Sequence, residues 1–340
     1  MDDKKILLIG GTGTISSSIT KMLAKEEGIE TIVLNRGHKE IPEGVTQVIC
    51  DANDEEALKE AAGDNTYAAV VDFIVYTEEQ ARKRVELFKG KTGHYIFIST
   101  VCALDHEDKI WLNENSETGN RYSEYGQNKA ACEKVYMEAY ENDGFPVTIV
   151  RPYQTYGYDR IPLSVKGKTC WSVVSRILND KPVIVHGDGK SIWHMMHTYD
   201  FAYNFLQLIG NPDAIGQSVN LVNPAVVTWD MIYAELGRQL GKTPKIIHIA
   251  SDTLARSSKY NNTAAFLGDK QYSNMYAKRA VSELIPDFKC LIGLQKGIEM
   301  YLKYMDEHPE LKIEDEDYDA WCDHATRDYR AFMKIFGERY

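Results

Sequence analysis

Ile6-Leu7-Leu8-Ile9-Gly10-Gly11-Thr12-Gly13-Thr14-Ile15-Ser16 decides the fold: a short apolar run, a glycine turn, and a helix-forming segment that continues to Lys25. Flexible backbone between a strand and a helix start brings free N–H groups and the positive end of a helix dipole against a pyrophosphate. The spacing is G-x-x-G-x-x-S, with Ser16 where a third glycine often sits. A serine there slightly widens the helix–strand contact and leaves the phosphate turn intact. Gly10, Thr12, Gly13, Thr14 and Ile15 are the expected contacts of a dinucleotide.

Residues 31–34 read as a second strand, ending at Asn35-Arg36-Gly37. Where the cofactor lacks a 2′-phosphate, an acidic side chain commonly takes the ribose hydroxyls at this point. Arg36 stands here instead and is suited to fork onto a phosphate or stack on adenine, so NADP is favoured over NAD. A third strand, 45–50, closes on Asp51-Ala52, where the aspartate can accept from the adenine amino group. The fourth, 68–75, is almost wholly apolar, as expected of a strand buried on both faces of a parallel sheet. Asp72 inside it has no partner legible in the sequence, while Phe73 and Ile74 at its end are assigned to the cofactor side.

After a polar helix over 78–88, the fifth strand, 94–99, leads from Ser99 into Thr100-Val101-Cys102. A sixth, 147–150, runs into Arg151-Pro152-Tyr153-Gln154-Thr155-Tyr156-Gly157. Strands alternating with helices in this way describe an α/β protein with a Rossmann-type doubly wound parallel sheet, whose ligands sit at the carboxyl ends of the strands. The turns at Gly10, Arg36, Asp51, Thr100 and Pro152 all belong to that edge.

Between the fifth and sixth strands lies Tyr125-Gly126-Gln127-Asn128-Lys129, on a helix expected over 124–140. Positions four apart share a helix face, so phenol and ammonium point into one volume. A free tyrosine titrates near pH ~10, and each unit of lowering takes about 1.4 kcal/mol of preferential phenolate stabilisation. A nearby lysine charge can supply it.

The chain has 340 residues, enough for two unequal lobes, with 44% hydrophobic and 26% charged content. A net charge of -11 leaves no basic stripe for a phosphate backbone, so nucleic acid is not an expected partner. No apolar run approaches the ~20 residues of a membrane span, and Met1-Asp2-Asp3-Lys4-Lys5 leads directly into the first strand without a signal-peptide cleavage site. The expected location is cytoplasmic. Six scattered cysteines lack C-x-x-C spacing, so they are expected reduced, with no metal site.

Beyond Gly157 the alternation breaks down. Residues 1–157 are taken as the dinucleotide-binding domain and 158–340 as mainly a substrate lobe, with some later segments returning to the sheet. Helices are expected over 170–178, 200–209 and 229–240, and strands over 182–186, 219–222 and 245–249. Tyr318, Trp321, Tyr329, Phe332 and Phe336 fall at near-helical spacing and read as packing.

Gly10-Gly11-Thr12-Gly13, Ile98-Ser99-Thr100, Tyr125-x-x-x-Lys129, Arg151-Pro152 before Tyr156-Gly157, and Gly187-Asp188-Gly189 leading to His197 and Asp200 together resemble an extended short-chain dehydrogenase/reductase of the NAD-dependent epimerase/dehydratase family. The resemblance covers residues 4 to about 300. It implies Tyr125 as acid/base, Lys129 binding the nicotinamide ribose and depressing the Tyr125 pKa, Thr100 holding the reacting oxygen, and Gln154 facing substrate. Family members often dimerise by pairing the helix that carries Tyr125 with the one before the fifth strand, so a homodimer is a possible partner state.

Departures bear on the reaction. Family 4,6-dehydratases carry an Asp-Glu pair where this chain has Val101 and Cys102, which disfavours dehydration. Nucleotide-sugar enzymes usually hold an arginine four residues after the Gly-Asp-Gly turn; Trp193 stands there, and with Gln154 and Asp159 it is assigned to the substrate. The segment from Ser191 through Trp193 to His197 also resembles an atypical branch, some of it near the chloroplast stem-loop RNA-binding proteins. Cys102 falls where family 3,5-epimerases place a proton-shuttling cysteine, with Asp159 as its candidate second acid; the alternative is a small buried residue beside a strand end. The expected activity is hydride transfer between a nicotinamide and a secondary alcohol or ketone, on a sugar or nucleotide sugar. The alternative is a nicotinamide-binding sensor or scaffold without turnover.

Overall fold

A computed structural model describes residues 4–340; Met1, Asp2 and Asp3, part of the N-terminal reading, lie outside the described residues. Seven parallel strands form the main sheet: β1 (Lys4–Ile9), β2 (Ile29–Asn35), β3 (Thr46–Ile49), β4 (Ala69–Asp72), β5 (Tyr95–Ile98), β6 (Val147–Pro152) and β7 (Ser218–Leu221). Their order is 7-6-5-4-1-2-3, so the winding reverses between β1 and β4. A crevice opens at such a reversal, and the glycine turn leaves β1 at that point. Ile9 pairs with both Leu34 and Asp72, Asp72 with Phe97, and Ile98 with Val150, so the carboxyl ends lie level.

Helices cover both faces, which is why β4 and β5 read as continuous apolar runs. On one face, Ile19 and Leu23 of α1 (Ser16–Leu23) pack with Phe201 and Phe205 of a later helix. On the other lie α2 (Glu55–Ala62), α3 (Glu78–Phe88) and α4 (Glu124–Asp143), which contribute Leu58, Phe88 and Tyr136. Thr77 and Gln80 close a reciprocal cap at the start of α3. Ser123 caps α4, and Gly144, at φ 67°, ends it.

Asp72 finds partners from three elements. Arg84 Nε of α3 donates to its carboxylate at 2.9 Å, the Tyr95 hydroxyl at 3.0 Å and the Ile74 amide at 2.8 Å. Both charged side chains are buried, and such a pair persists only when every lone pair is used in this way.

Past Gly157 the chain builds a second hydrophobic core from α5 (Trp171–Leu178), α7 (Trp229–Leu240) and paired short strands, while α6 (Thr198–Leu206) returns to the main sheet beside α1. Gln154–Tyr156 pairs with Met195–His197, and Pro182–His186 with Lys245–Ile249. Trp193, Trp229, Tyr233, Tyr301 and Tyr318 fill the middle. The last helix, Glu316–Arg339, meets the packing expectation only over its first half. Tyr318 is buried and Trp321 packs beside it, but Phe332 and Phe336 are 57% and 52% exposed because the helix outruns the body it lies on. Among the described residues no helix is long and apolar enough to cross a membrane, and no cluster of three metal-ligating side chains occurs.

Candidate functional site

The turn after β1 is built for close approach. Gly10 has φ 90°, and a Cβ there would lie 2.6 Å from Ile74. Ser16 does more than leave the turn intact. Its hydroxyl donates to the Gly10 carbonyl at 2.7 Å and accepts the Gly13 amide at 2.8 Å, while Thr20 donates to the Gly11 carbonyl at 2.7 Å. These bonds fix the loop and leave the Thr14 and Ile15 amides without an acceptor among the described residues. Two free amides at a helix start form an anion cradle, so the residues present fit a dinucleotide diphosphate.

Two recesses flank this turn. One, of about 400 Å³, is lined by Gly10, Thr12, Gly13, Asn35, Arg36, Asp51, Ala52 and Ile74. Asn35 is turned inward, its carbonyl oxygen accepting the Gly37 amide at 2.8 Å and the Gln47 amide at 2.9 Å. The Asp51 carboxyl is held below its ordinary value by the Asn53 amide and by Arg36. His38 and Lys39 line the same recess and were not anticipated from sequence. With Arg36 they put three basic side chains around one opening, none within ion-pair distance of a carboxylate among the described residues.

The other recess, of about 500 Å³, brings together Gly13, Thr14, Ile15, Phe73, Ile74, Ser99, Thr100, Tyr125, Lys129, Pro152, Tyr153 and Gln154. Lys129 is 1% exposed, and its ammonium donates to the Val75 and Ile98 carbonyls, each at 2.7 Å. Burial pulls its pKa down to about 8. Tyr76 and Phe97 rings lie 4.7 Å from the nitrogen. Helix α4 can set Tyr125 this close because Gly126 follows it: a Cβ there would sit 2.1 Å from the Cys102 carbonyl oxygen.

Tyr125 is 47% exposed, yet its phenol is pushed up rather than down, by desolvation of the hydroxyl and then by Cys102 and Tyr76, with only the neighbouring Thr100 acting the other way. That reverses the direction expected from the resemblance. The reason is geometric: Lys129 Nζ lies 5.9 Å from the Tyr125 ring centre and gives two of its three hydrogens to carbonyls.

Three substrate or catalytic assignments change. Trp193 does not line the recess; it is 1% exposed, wedged between Tyr153 at 4.6 Å and Trp229 at 4.5 Å, because its strand pairs with residues 227–228 and turns the indole into the second core. Asp159 lines a separate recess with Gly11, Lys21, Lys25 and Tyr304, so it is not placed as a second acid for Cys102. The Cys102 thiol faces Asp269 at 3.8 Å, and burial with that carboxylate pushes its pKa up, away from the thiolate a shuttle draws on.

Asp269, on a π-helical turn at Phe266–Lys270, also accepts the Tyr153 hydroxyl at 3.0 Å and faces His106 Nδ1 at 3.3 Å. Burial alone would lower the His106 pKa, but the carboxylate raises it. This cluster joins residues more than a hundred positions apart, and no local spacing announces it.

The sequence pattern of the NAD dependent epimerase/dehydratase family matches residues 6–222. The chain belongs to that family. It is 21% identical over 295 residues to the 2′-dehydrokanamycin reductase of Streptomyces kanamyceticus, covering 85% of this chain and 81% of the relative. It is 24% identical over 262 residues to the chloroplast stem-loop binding protein of 41 kDa b of Arabidopsis thaliana, covering 72% of this chain and 66% of that one. The fold is similar to the epimerase Mth375 of Methanothermobacter thermautotrophicus, with a TM-score of 0.73 at 18% identity over 92% of this chain and 94% of the other. It is likewise similar to the UDP-glucuronic acid 4-epimerase of Bacillus cereus in complex with NAD, with a TM-score of 0.70 at 17% identity, covering 89% and 99%. An NAD(P) cofactor is typical of the family.

Proposed function

We propose that the protein is an NAD(P)-dependent oxidoreductase or epimerase acting on a secondary alcohol or ketone of a sugar or nucleotide sugar. The observation that carries this reading is the placement of Lys129: an ammonium fixed by two carbonyls in the same recess as Thr100, Tyr125 and the glycine turn. When bound, the nicotinamide supplies hydride acceptance and return. The Gly10–Ser16 turn would hold its diphosphate through the Thr14 and Ile15 amides, and Lys129 would have one N–H left for the nicotinamide ribose. Thr100 holds the substrate oxygen. Tyr125 takes the hydroxyl proton in oxidation and returns it in reduction, a role its neutral phenol favours in the direction of ketone reduction.

Arg36 and Lys39, with His38 beside them, support NADP as the preferred cofactor, since two cations around one opening suit a 2′-phosphate better than a free hydroxyl. Incubation with a panel of sugars and nucleotide sugars while following reduced-nicotinamide absorbance tests the reading. Isomerised product without accumulated reduced cofactor identifies an epimerase, and stoichiometric change identifies a dehydrogenase. Cofactor binding without conversion of any member overturns both.

A further inference from the structure

The last helix, Glu316–Arg339, carries one apolar stripe along its length, and the body covers only the first part of it. Tyr318, Trp321, Cys322, Ala325 and Tyr329 fall at helical spacing and pack on the second core. The same spacing continues through Phe332, Phe336 and Tyr340, with Met333 beside them. Every residue from Arg330 to Tyr340 is exposed, so about three turns, roughly 16 Å, stand clear of the body.

Ring centres step along this clear length at 6.5 Å from Tyr329 to Phe332, 6.1 Å from Phe332 to Phe336 and 5.2 Å from Phe336 to Tyr340. On the opposite side Lys334 and Glu338 pair at 3.7 Å. Three turns are marginal as a helix in water, and covering the ring side would stabilise them. Phe332 is 57% exposed, Met333 48%, Phe336 52% and Tyr340 92%. With ~150–250 Å² to an aromatic side chain, the four present on the order of 500 Å² per copy, or about 1,000 Å² over two copies, the lower limit of a specific interface. The outer side of α3, by contrast, is taken up by its own pairs, Arg82 with Glu78 at 2.7 Å and Lys83 with Glu79 at 2.6 Å.

The charges that border the stripe select an orientation. Asp328 lies at its start and Arg339 at its end, on the same side. Parallel pairing would set Arg339 against Arg339 and align the helix dipoles. Antiparallel pairing opposes the dipoles, sets Phe332 against the second copy's Phe336, and carries Asp328 to the end where the second copy holds Arg339. That arrangement is isologous, so it closes at two copies. An anionic membrane suits the segment less well, since Asp328 borders the stripe and the chain carries a net charge of -11.

We propose that Phe332, Met333, Phe336 and Tyr340 form a self-association surface whose occupant is the same stripe of a second copy, laid antiparallel about the level of Lys334. The pairing is independent of the reaction and of any contact through α3 and α4, to which it would add one further step of assembly.

The test is sedimentation velocity of the full chain. The weight-average mass should rise toward double its dilute value, with half-association at roughly 10–100 μM, as befits so small an interface. Phe332→Glu combined with Phe336→Glu should weaken this association by tenfold or more, and the milder Phe332→Ser with Phe336→Ser should act in the same direction. Lys334→Glu, on the opposite side of the helix, should change it by less than about twofold. Melting temperature and cofactor affinity should match the parent throughout, since all these side chains are exposed. A constant mass across the range overturns the proposal. So does association that the paired phenylalanine variants leave intact, which would place the contact on another surface, or a mass that climbs past doubling, which would mean an open contact. Flotation of a non-associating parent with vesicles of phosphatidylcholine and phosphatidylglycerol, lost in the paired glutamate variant, would overturn it in favour of a membrane.

Discussion

The two edges of the main sheet differ in a way that locates the chemistry. At the amino-terminal edge, between α1 and α6, lies the larger recess, about 960 Å³, lined by Met22, Leu206, Ile209 and Pro212. Its one buried titratable group, His94, is fully answered: Nδ1 accepts the Gly210 amide at 3.0 Å, Nε2 meets the Thr148 hydroxyl at 2.7 Å, and burial drops its pKa to about 4. The recess at the carboxyl edge is about half that size, but the Thr14 and Ile15 amides, the Tyr125 hydroxyl and the Arg160 guanidinium are left without a partner among the described residues. Volume alone would choose the amino-terminal edge; unanswered buried polar groups favour the proposed one.

The comparison breaks most directly at Tyr125. Tyr125→Phe should lower turnover by roughly 10²- to 10⁴-fold, the usual contribution of a positioned acid/base, with cofactor affinity and melting temperature unchanged. Steady-state kinetics beside fluorescence titration of cofactor separates the two effects. Turnover within a few-fold of the parent would remove Tyr125 from the reaction.

Gly126→Ala tests whether the carboxyl edge depends on the approach of α4. A Cβ 2.1 Å from the Cys102 carbonyl forces helix and turn apart, which should lower stability by about 1–3 kcal/mol and displace Thr100 from Tyr125. Denaturant unfolding that matches the parent, with unchanged kcat, would show that the two segments are free to part.

Lys129 gives a pH signature. Its pKa falls from an ordinary 10.5 to about 8 through burial, so the cost of burying the ammonium is carried below about 8 and relieved as pH rises toward 10.5. Stability therefore gains from this group over that window. Ketone reduction should do the opposite, with kcat/KM declining about tenfold per pH unit above about 8 as the ammonium proposed to hold the nicotinamide ribose loses its proton. A flat profile to pH 10 would contradict the assignment.

A smaller effect is expected at the glycine turn. Ser16→Ala removes the bonds to the Gly10 carbonyl and the Gly13 amide, which should cost about 1 kcal/mol of stability and weaken cofactor binding several-fold through loss of a fixed cradle. Tighter cofactor binding would mean that the freed Gly13 amide serves the phosphate better than the serine did.

What was legible in the sequence follows the range of the interactions. The sheet, α3 and the strand 182–186 are set by local periodicity and by the punctuation of glycines, prolines and caps, and the chain spells these out residue by residue. Thr100 and the Tyr125–Lys129 pair come from separate segments, yet each sits just beyond or between strands whose carboxyl ends the topology already aligns. The Ser16 staple was legible only as a departure from glycine, because its partners are carbonyl and amide atoms with no sequence identity. Trp193 was misplaced because the sequence does not show which side of a two-residue strand meets Trp229. Asp72 found Arg84 twelve residues away, and Asp269 found Cys102 across 167 residues; packing alone creates such pairs. Phe332 and Phe336 kept helical spacing where the neighbouring body had already ended.

The amino-terminal edge supplies the smallest effect and the sharpest control. Tyr203 lines its recess and donates to the Asp287 carboxylate, which Lys289 also meets at 2.7 Å. All three groups are open to solvent, so water replaces whatever Tyr203→Phe removes, and stability should move by no more than about 0.5 kcal/mol. Turnover and cofactor affinity should not change, since the recess faces the opposite end of the strands from Thr100 and Tyr125. If Tyr203→Phe instead depressed kcat by tenfold, the larger recess would be coupled to the reaction, and unanswered polar groups would no longer be a sufficient guide to where this protein works.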